Sequence, residues 1–141
     1  MGREAKIEMN SLQKAKFWKE FIYTKCNFPN IKNLRNHFEN AHFSEFCECG
    51  CNSFKVEVNR EKVQTPLAKR YQHARAIFEA CYTLEVEEKS LEIVLHTDKD
   101  GYLSYVNVDC CANTFPVPDI IKIKDKPYNE YISKDIILDK G

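Results

Sequence analysis

The stretch from Leu91 to Val108 constrains the fold more than any other part of the chain. Two β-rich runs, Leu91–Thr97 and Tyr102–Val108, flank the tetrapeptide Asp98-Lys99-Asp100-Gly101. Asp-Gly between such runs is a strong hairpin signal, because the turn needs a positive φ and glycine adopts it without steric cost. A hairpin alone is marginally stable in water. The rest of the chain must therefore supply more strands and a layer that covers one face of the sheet.

Two helices are predicted before the strands. Helical spacing of apolar residues predicts the first over Leu12–Cys26, with a stripe made by Leu12, Ala15, Trp18, Ile22 and Cys26. Ser11 is the predicted N-cap, and Lys14 at the third helical position leaves the capping box incomplete. Pro29 ends this helix and begins a second one, whose buried stripe is predicted to hold Ile31, Leu34, Phe38 and Ala41. His37 and His42 lack a second ligand at helical spacing and are interpreted as surface or helix-end residues.

Alternation of apolar and polar residues predicts two more strands, Ser53–Val58 and Ala76–Val86, with Phe78, Ala80, Tyr82, Leu84 and Val86 facing the core. The basic segment Arg60–Arg75, which contains Pro66, is interpreted as a long loop. The apolar C-terminal segment Pro127–Gly141 is expected to dock on the core, and a short helix is one form that this docking can take.

Helices followed by strands are typical of the α+β class. We predict two N-terminal helices packed on one face of an antiparallel meander of about four strands. The chain is interpreted as a single domain over residues 1–141, with a frayed N-terminus over 1–10, a helical part over 11–42 and a sheet part over 43–141.

Seven cysteines, no secretory signal and no apolar run of about 20 residues predict a cytoplasmic chain with reduced thiols. Charge is unevenly distributed along this chain of zero net charge. Residues 1–75 carry 14 Lys and Arg against 8 Asp and Glu, and residues 76–141 carry 7 against 13. The acidic excess is densest between Glu79 and Asp109. A solvated outer face explains these charges as well as a binding surface does.

Three kinds of function are considered from the residues: zinc binding, nucleic-acid binding and catalysis. Cys47-Glu48-Cys49-Gly50-Cys51 suggests a zinc site, although the spacing is tighter than a usual zinc knuckle, and buried free thiols are the plainer explanation. A nucleic-acid surface would use the basic residues of the first half, which are Lys14, Lys16, Lys19, Lys25, Lys32 and Arg35. No nucleophile, base and orienting group stand together in a motif, so catalysis is not predicted. No cofactor is predicted either.

Two motifs carry a family resemblance. Cys47-Glu48-Cys49-Gly50-Cys51-Asn52-Ser53 leads into a strand, and Gly101-Tyr102-Leu103-Ser104 follows the hairpin turn, with Pro116 later. Over residues 46–118 the chain resembles a group of small bacterial α+β proteins, some of which look like immunity proteins of polymorphic toxin and contact-dependent growth inhibition systems. The Leu-Glu that follows this hairpin in the family is Val106-Asn107 here.

The resemblance implies an immunity protein that binds and neutralises a cognate bacterial toxin domain. Many toxin domains are nucleases with basic substrate grooves, and an acidic surface suits such a groove and speeds association. The partner-binding residues are therefore predicted to be Glu85, Glu87, Glu88, Glu92, Asp98 and Asp100. A zinc-binding structural module and a nucleic-acid-binding protein remain the alternative interpretations.

Overall fold

The computed structural model describes residues 10–47 and 50–138. Two helices precede six strands in the described chain: α1 (Ser11–Lys25), α2 (Ile31–Glu39), β1 (Ala41–Ser44), β2 (Phe54–Val58), β3 (Arg75–Thr83), β4 (Ser90–Thr97), β5 (Leu103–Cys110) and β6 (Asn129–Ile132). The strands form one antiparallel sheet in the order β1-β2-β5-β4-β3-β6. The α+β class is thereby confirmed, whereas the expected strand count of about four is wrong because β1 and β6 extend both edges. The expected meander is wrong as well, because β2 pairs with β5 and β6 pairs with β3.

Helix α1 begins with a complete capping box. The Asn10 side chain accepts a hydrogen bond from the backbone N–H of Gln13 at 2.8 Å, and the Gln13 side chain accepts one from the backbone N–H of Asn10 at 2.9 Å. The prediction that Ser11 caps an incomplete box is therefore wrong by one residue. Leu12 is 48% exposed rather than buried, and the buried stripe consists of Ala15, Trp18, Phe21 and Ile22. The expected fraying of residues 1–10 falls, except for Asn10, outside the described residues.

Helix α2 is shorter than the sequence predicts. Asn30 caps it by accepting a hydrogen bond from the backbone N–H of Asn33, and it ends at Glu39. Ala41 then pairs with Val58 as the first residue of β1, so the helical part ends before residue 42. Of the two interpretations of His37, the helix-end residue is confirmed, since His37 lies in the last turn of α2, and the surface residue is wrong, since its exposure is 0%. It lies on the buried side of α2, which packs against the hairpin that follows β4.

The core lies between the two helices and one face of the sheet. Edge-to-face aromatic pairs join the layers: the ring centroids of Phe21 and Tyr82 are 5.5 Å apart, and those of Phe28 and Phe78 are 5.6 Å apart. Alternate residues of β4 contribute to this core, and Leu91, Ile93 and Leu95 are all 0% exposed. Val86 does not join them, because β3 ends at Thr83 and leaves Val86 in the following turn, 51% exposed.

The C-terminal segment docks as a strand rather than as a helix. β6 pairs antiparallel with β3, with Phe78 opposite Ile132 and Ala80 opposite Glu130. Ile136 follows and is buried at 6% exposure. The outer edge of β3 offers unpaired backbone groups, and a segment rich in tyrosine and isoleucine satisfies them by pairing.

The basic loop between β2 and β3 is anchored on the hairpin turn. The backbone N–H groups of Leu67 and Ala68 donate to the carbonyl of Gly101 at 2.8 Å and 3.2 Å. Gly101 has φ of +93°, and a Cβ at this position would lie 1.9 Å from the carbonyl oxygen of Ala68. The close approach of two backbones therefore requires glycine at this turn.

The loop between β1 and β2 contains a disulfide between Cys47 and Cys51, whose Cα atoms are 6.0 Å apart. For these two residues the prediction of reduced thiols is wrong. The turn at Gly50, with φ of +109°, brings the two cysteines within bonding range. Cys26, Cys81, Cys110 and Cys111 are free thiols. In the described part of the chain, neither helix has the length and apolar character needed to cross a membrane.

Candidate functional site

The six acidic residues predicted to bind a partner lie at three separate places. Glu85, Glu87 and Glu88 belong to the turn between β3 and β4, and Asp98 and Asp100 belong to the turn between β4 and β5. Strand β4 separates the two turns by eight residues, or about 26 Å at a rise of 3.3 Å per residue. Glu92 lies between them on β4. The structure therefore does not bring these residues together into one patch.

Asp98 and Asp100 are partnered within the protein. The Arg60 guanidinium donates to both carboxylates, at 2.9 Å for Asp100, and stacks 4.3 Å from the centroid of the Tyr102 ring. Arg70 donates to the other oxygen of Asp100 at 2.8 Å. The Arg60 and Arg70 side chains hold the pKa of Asp100 below its usual range. These carboxylates anchor the basic loop on the hairpin turn, which leaves less of their charge available to a partner.

The turn between β3 and β4 is the second location. Glu87 and Glu88 both have left-handed backbone conformations, with φ of 54° and 49°. Glu88 forms an ion pair with Lys124 at 2.9 Å, which lowers the pKa of its carboxyl group. Consecutive left-handed residues define a type I′ turn, whose preferred residues are Asn and Gly. Glutamate adopts a left-handed backbone conformation less readily than Asn or Gly, so Glu87 and Glu88 are unfavourable residues at these turn positions.

The third location is the sheet face opposite the helices, which we call the open face. Its central residues are half-buried side chains that alternate with the core residues of β3, β4 and β5: Glu79, Glu92, Val94, His96, Tyr105, Asn107 and Asp109. An antiparallel sheet commonly packs one face on the core and leaves the other face in contact with water. The open face has this arrangement, with polar residues in place of a second layer.

Three carboxylates lie near one another at the centre of the open face. We call these residues, Glu79, Glu92 and Asp109, the carboxylate cluster. Glu92 lies directly opposite Asp109 across β4 and β5. Glu79 lies opposite Val94, one row away on the same face. Directly opposed side chains in an antiparallel pair have Cβ atoms about 5 Å apart, and like charges at that distance are destabilising. The register of the three strands therefore concentrates negative charge at one place.

The electrostatics of the cluster reflect this crowding. The pKa of Glu92 is raised, first by burial and then by the negative charges of Asp109 and Glu79. Asp109 accepts one hydrogen bond from the side-chain amide of Asn107 at 3.1 Å, and its other oxygen is buried without a hydrogen-bond partner. Within residues 10–47 and 50–138, no lysine, arginine or histidine forms an ion pair with the cluster.

Aromatic side chains lie beside the cluster on the same face. The His96 and Tyr105 rings form an edge-to-face pair with centroids 5.9 Å apart, and burial lowers the pKa of His96. Tyr131 on β6 lies opposite Glu79 and is 49% exposed. Tyrosine is enriched at protein interfaces, where its ring supplies contact area and its hydroxyl group supplies a hydrogen bond. The open face thus combines uncompensated negative charge with exposed aromatic surface.

The zinc interpretation gains no ligand set among the described residues, and the basic residues of the nucleic-acid interpretation lie on the two helices. No group of three His, Cys, Asp or Glu residues within the described ranges is arranged to hold a metal ion. Cys47 and Cys51 are joined to each other, Cys49 lies outside the described residues, and a zinc ligand is a thiolate. The basic residues considered for nucleic acid lie on α1 and α2, on the opposite side of the sheet from the open face.

Sequence reasoning found one member of the cluster, Glu92, and missed Glu79 and Asp109 as site residues. The signal available for them was alternation, since each is flanked by residues that face the core. Alternation assigns a residue to a face but does not say which residues of other strands lie beside it, and strand register supplies that information.

Comparison with protein-family models, with curated proteins and with solved structures produced no match to this chain.

Proposed function

We propose that this chain is an immunity protein, which binds a cognate bacterial toxin domain through the open face and blocks its active site or substrate groove. The observation that carries the proposal is the carboxylate cluster of Glu79, Glu92 and Asp109, which lacks a counter-ion within the described fold. The resemblance of the Cys47–Ser53 and Gly101–Ser104 motifs to bacterial immunity proteins supports the same function.

The physical argument rests on the cost of the cluster. Placing Glu92 opposite Asp109 disfavours the folded chain by roughly 0.2–1 kcal/mol relative to a neutral pair. A partner that presents lysine or arginine to this face removes that repulsion and forms charge-assisted hydrogen bonds in its place. Arginine is the preferred residue for binding the phosphate groups of nucleic acids. Its guanidinium group also matches the geometry of carboxylates. A basic substrate groove is therefore the surface that complements this face.

The open face also has features that affect how fast a partner associates and dissociates. Tyr131 lies opposite Glu79, and Tyr105 lies on the same face of β5, separated from Asp109 by Asn107, so the open face offers aromatic contact area as well as charge. Opposite potentials across an interface accelerate association, and buried aromatic contacts slow dissociation. An inhibitor that must capture a toxin before it reaches its substrate benefits from both effects.

The test is direct binding between this protein and the C-terminal domain encoded by the open reading frame immediately upstream, measured by calorimetry at several salt concentrations. We expect a one-to-one complex, and we expect the double variant Glu92→Gln, Asp109→Asn to bind at least about tenfold more weakly with a shallower salt dependence. The variant should also fail to protect cells that express the toxin.

Glu87→Gln, Glu88→Gln is the matched control, because it removes the same number of charges from the turn between β3 and β4. It should bind within about threefold of the unaltered protein, as expected for charges at the rim of an interface. Equal losses in both double variants would show that net charge rather than the open face determines binding. The absence of any complex with the folded protein would overturn the immunity function itself.

A further inference from the structure

Asn107 lies on the open face between the carboxylate cluster and the start of β2. Its side-chain Nδ2 donates a hydrogen bond to Oδ2 of Asp109 at 3.1 Å, and its Oδ1 accepts one from the hydroxyl group of Ser53 at 3.2 Å. Ser53 immediately precedes β2 and is 1% exposed. We call Ser53, Asn107 and Asp109 the Ser53 network, which connects a buried hydroxyl group to a carboxylate of the cluster.

The direction of the hydrogen bonds in the Ser53 network follows from the groups around it. The backbone N–H of Val108 donates to the Ser53 hydroxyl oxygen at 2.9 Å, so the hydroxyl hydrogen is left to donate elsewhere. Oδ1 of Asn107 is the nearer acceptor, and the carbonyl of Val108 is a longer alternative at 3.4 Å. A reversed Asn107 amide would place its oxygen against the Asp109 carboxylate, where two acceptors repel each other. The amide therefore has one favourable orientation, with its N–H toward Asp109.

We infer that Asn107 is a positioning residue of the open face, which Ser53 holds in place and which fixes the Asp109 carboxylate for a basic partner. The inference rests on the proposed function, because Asp109 belongs to the cluster proposed to bind the toxin domain. Asp109 faces Glu92 across the strands, and repulsion would turn an unrestrained side chain away. The amide hydrogen bond stabilises the carboxylate in one orientation. A partner then does not have to order Asp109 on binding, which lowers the cost of association.

Burial and charge separate positioning from direct contact and from long-range attraction. Ser53 is too deeply buried to contact a partner on the open face, whereas Asn107 is half-buried. A substitution at Ser53 can therefore change binding only through the residues around it. Ser53 and Asn107 are both uncharged, so their substitution leaves the net charge of the face unaltered. The association rate and the salt dependence of binding should then stay the same, and the dissociation rate should rise.

The test is the binding of Ser53→Ala and Asn107→Leu to the same upstream-encoded domain, measured by surface plasmon resonance at several salt concentrations. We expect both variants to raise the Kd about three- to tenfold, as for the loss of one ordered side chain, with an unchanged salt dependence. Asp109→Asn should instead weaken binding with a shallower salt dependence. Ser53→Thr keeps the hydroxyl group and should restore most of the affinity. Ser104→Ala is the matched control, because its hydroxyl group donates to the carbonyl of His96 instead.

Hydrogen exchange of the Asn107 side-chain amide, followed by NMR, tests the network in the free protein. We expect these protons to exchange with water more slowly than those of Asn36, which is exposed on α2. Ser53→Ala should speed the exchange, and Ser104→Ala should not. Equally fast exchange at Asn107 and Asn36 in the unaltered protein would overturn the inference.

The two binding variants guard against different errors. Asn107→Leu keeps the hydrogen bond between Ser53 and the backbone of Val108, so a weaker complex cannot then come from a disturbed β5 backbone. A loss of affinity in Asn107→Leu but not in Ser53→Ala would show that Asn107 contacts the partner directly, which overturns the inference and leaves the immunity function standing. A changed salt dependence in either variant would overturn it as well. The absence of a complex with every variant would overturn the immunity function and, with it, this inference.

Discussion

Glu92 on β4 lies directly opposite Asp109 on β5, on the sheet face that the helices leave uncovered. Together with Glu79 these carboxylates form a cluster without an internal counter-ion in the described fold. Such an arrangement is costly for the isolated chain and useful to a chain that binds a basic surface. A substitution that removes one of these charges should therefore raise the free energy of unfolding and weaken binding to a basic partner.

Replacing Glu92 with glutamine tests this opposition. The pKa of Glu92 is raised in the folded protein, so the folded state binds the proton more tightly than the unfolded state. The stability associated with this proton is present below the unfolded pKa, near 4.5, and is lost as pH rises through the folded value. We expect Glu92→Gln to unfold at higher denaturant concentration at pH 7, by roughly 0.2–1 kcal/mol. The gain should shrink at pH 4, and Glu57→Gln, at an exposed position on β2, should show no such gain.

His37 predicts a second pH dependence with the opposite sign. Its ring is 0% exposed, its Nδ1 lies 2.9 Å from the carbonyl oxygen of Asn33, and its Nε2 has no hydrogen-bond partner. Burial is the main cause that lowers the pKa of His37 from 6.5. The unfolded state therefore binds more protons in the window below pH 6.5, and stability should fall as pH decreases through that window.

The measurement is chemical denaturation between pH 7 and pH 5 for the unaltered protein and for His37→Phe. The variant should lose a substantial part of the pH dependence, and the residual slope should include the contribution of His96, whose pKa is also lowered by burial. His73→Gln, at an exposed position, should keep the full slope. An unchanged slope in His37→Phe would contradict the assignment.

Gly101 should tolerate no side chain. An added Cβ would lie 1.9 Å from the Ala68 carbonyl oxygen, and φ at this residue is +93°. Gly101→Ala must therefore separate the basic loop from the hairpin turn, and we expect a loss of about 2 kcal/mol or more. Gly50→Ala is the control, since φ is similar at +109° but the nearest atom is 3.5 Å away, on Pro116. It should lose only the backbone contribution of about 1–2 kcal/mol, and equal losses at both glycines would exclude the steric explanation.

The turn between β3 and β4 should be improved by the residues that its conformation prefers. Glu87 and Glu88 have φ of 54° and 49°, a conformation that disfavours side chains other than those of Gly, Asn and Asp. We expect Glu87→Asn, Glu88→Gly to raise the free energy of unfolding by about 1–2 kcal/mol, because it installs the preferred type I′ pair. The lost ion pair of Glu88 with Lys124 is exposed and should subtract little. A lower midpoint of thermal unfolding would show that the glutamates stabilise the turn by other means.

The hairpin and the helix layer were predictable because their signals are local. An Asp-Gly pair such as Asp100-Gly101 between β-rich runs predicts a hairpin turn. The apolar spacing of Ala15, Trp18 and Ile22 predicts a helix with one buried side. The cap at Asn10 was missed because two residues in succession are good N-caps, and only the partner Gln13 distinguishes them. The edge strands β1 and β6 were missed because four residues are too few to show a period.

The candidate site was less predictable, since a run of acidic residues says nothing about what lies beside each of them. The sequence does not distinguish Asp98 and Asp100 from Glu92 as candidate binding residues. Arg60 and Arg70 nevertheless neutralise the two aspartates, although they lie about 30 to 40 residues away in the chain. Glu79 and Asp109 appear unremarkable until the register of β3, β4 and β5 places them next to Glu92.

The sequence by itself determined the α+β class, the two helices and the central hairpin, because turn conformation and side-chain periodicity depend on neighbouring residues alone. Only the tertiary structure decided which acidic residues are neutralised and which share a surface. Those outcomes depend on strand order and register, which are properties of hydrogen bonding between segments distant in the chain.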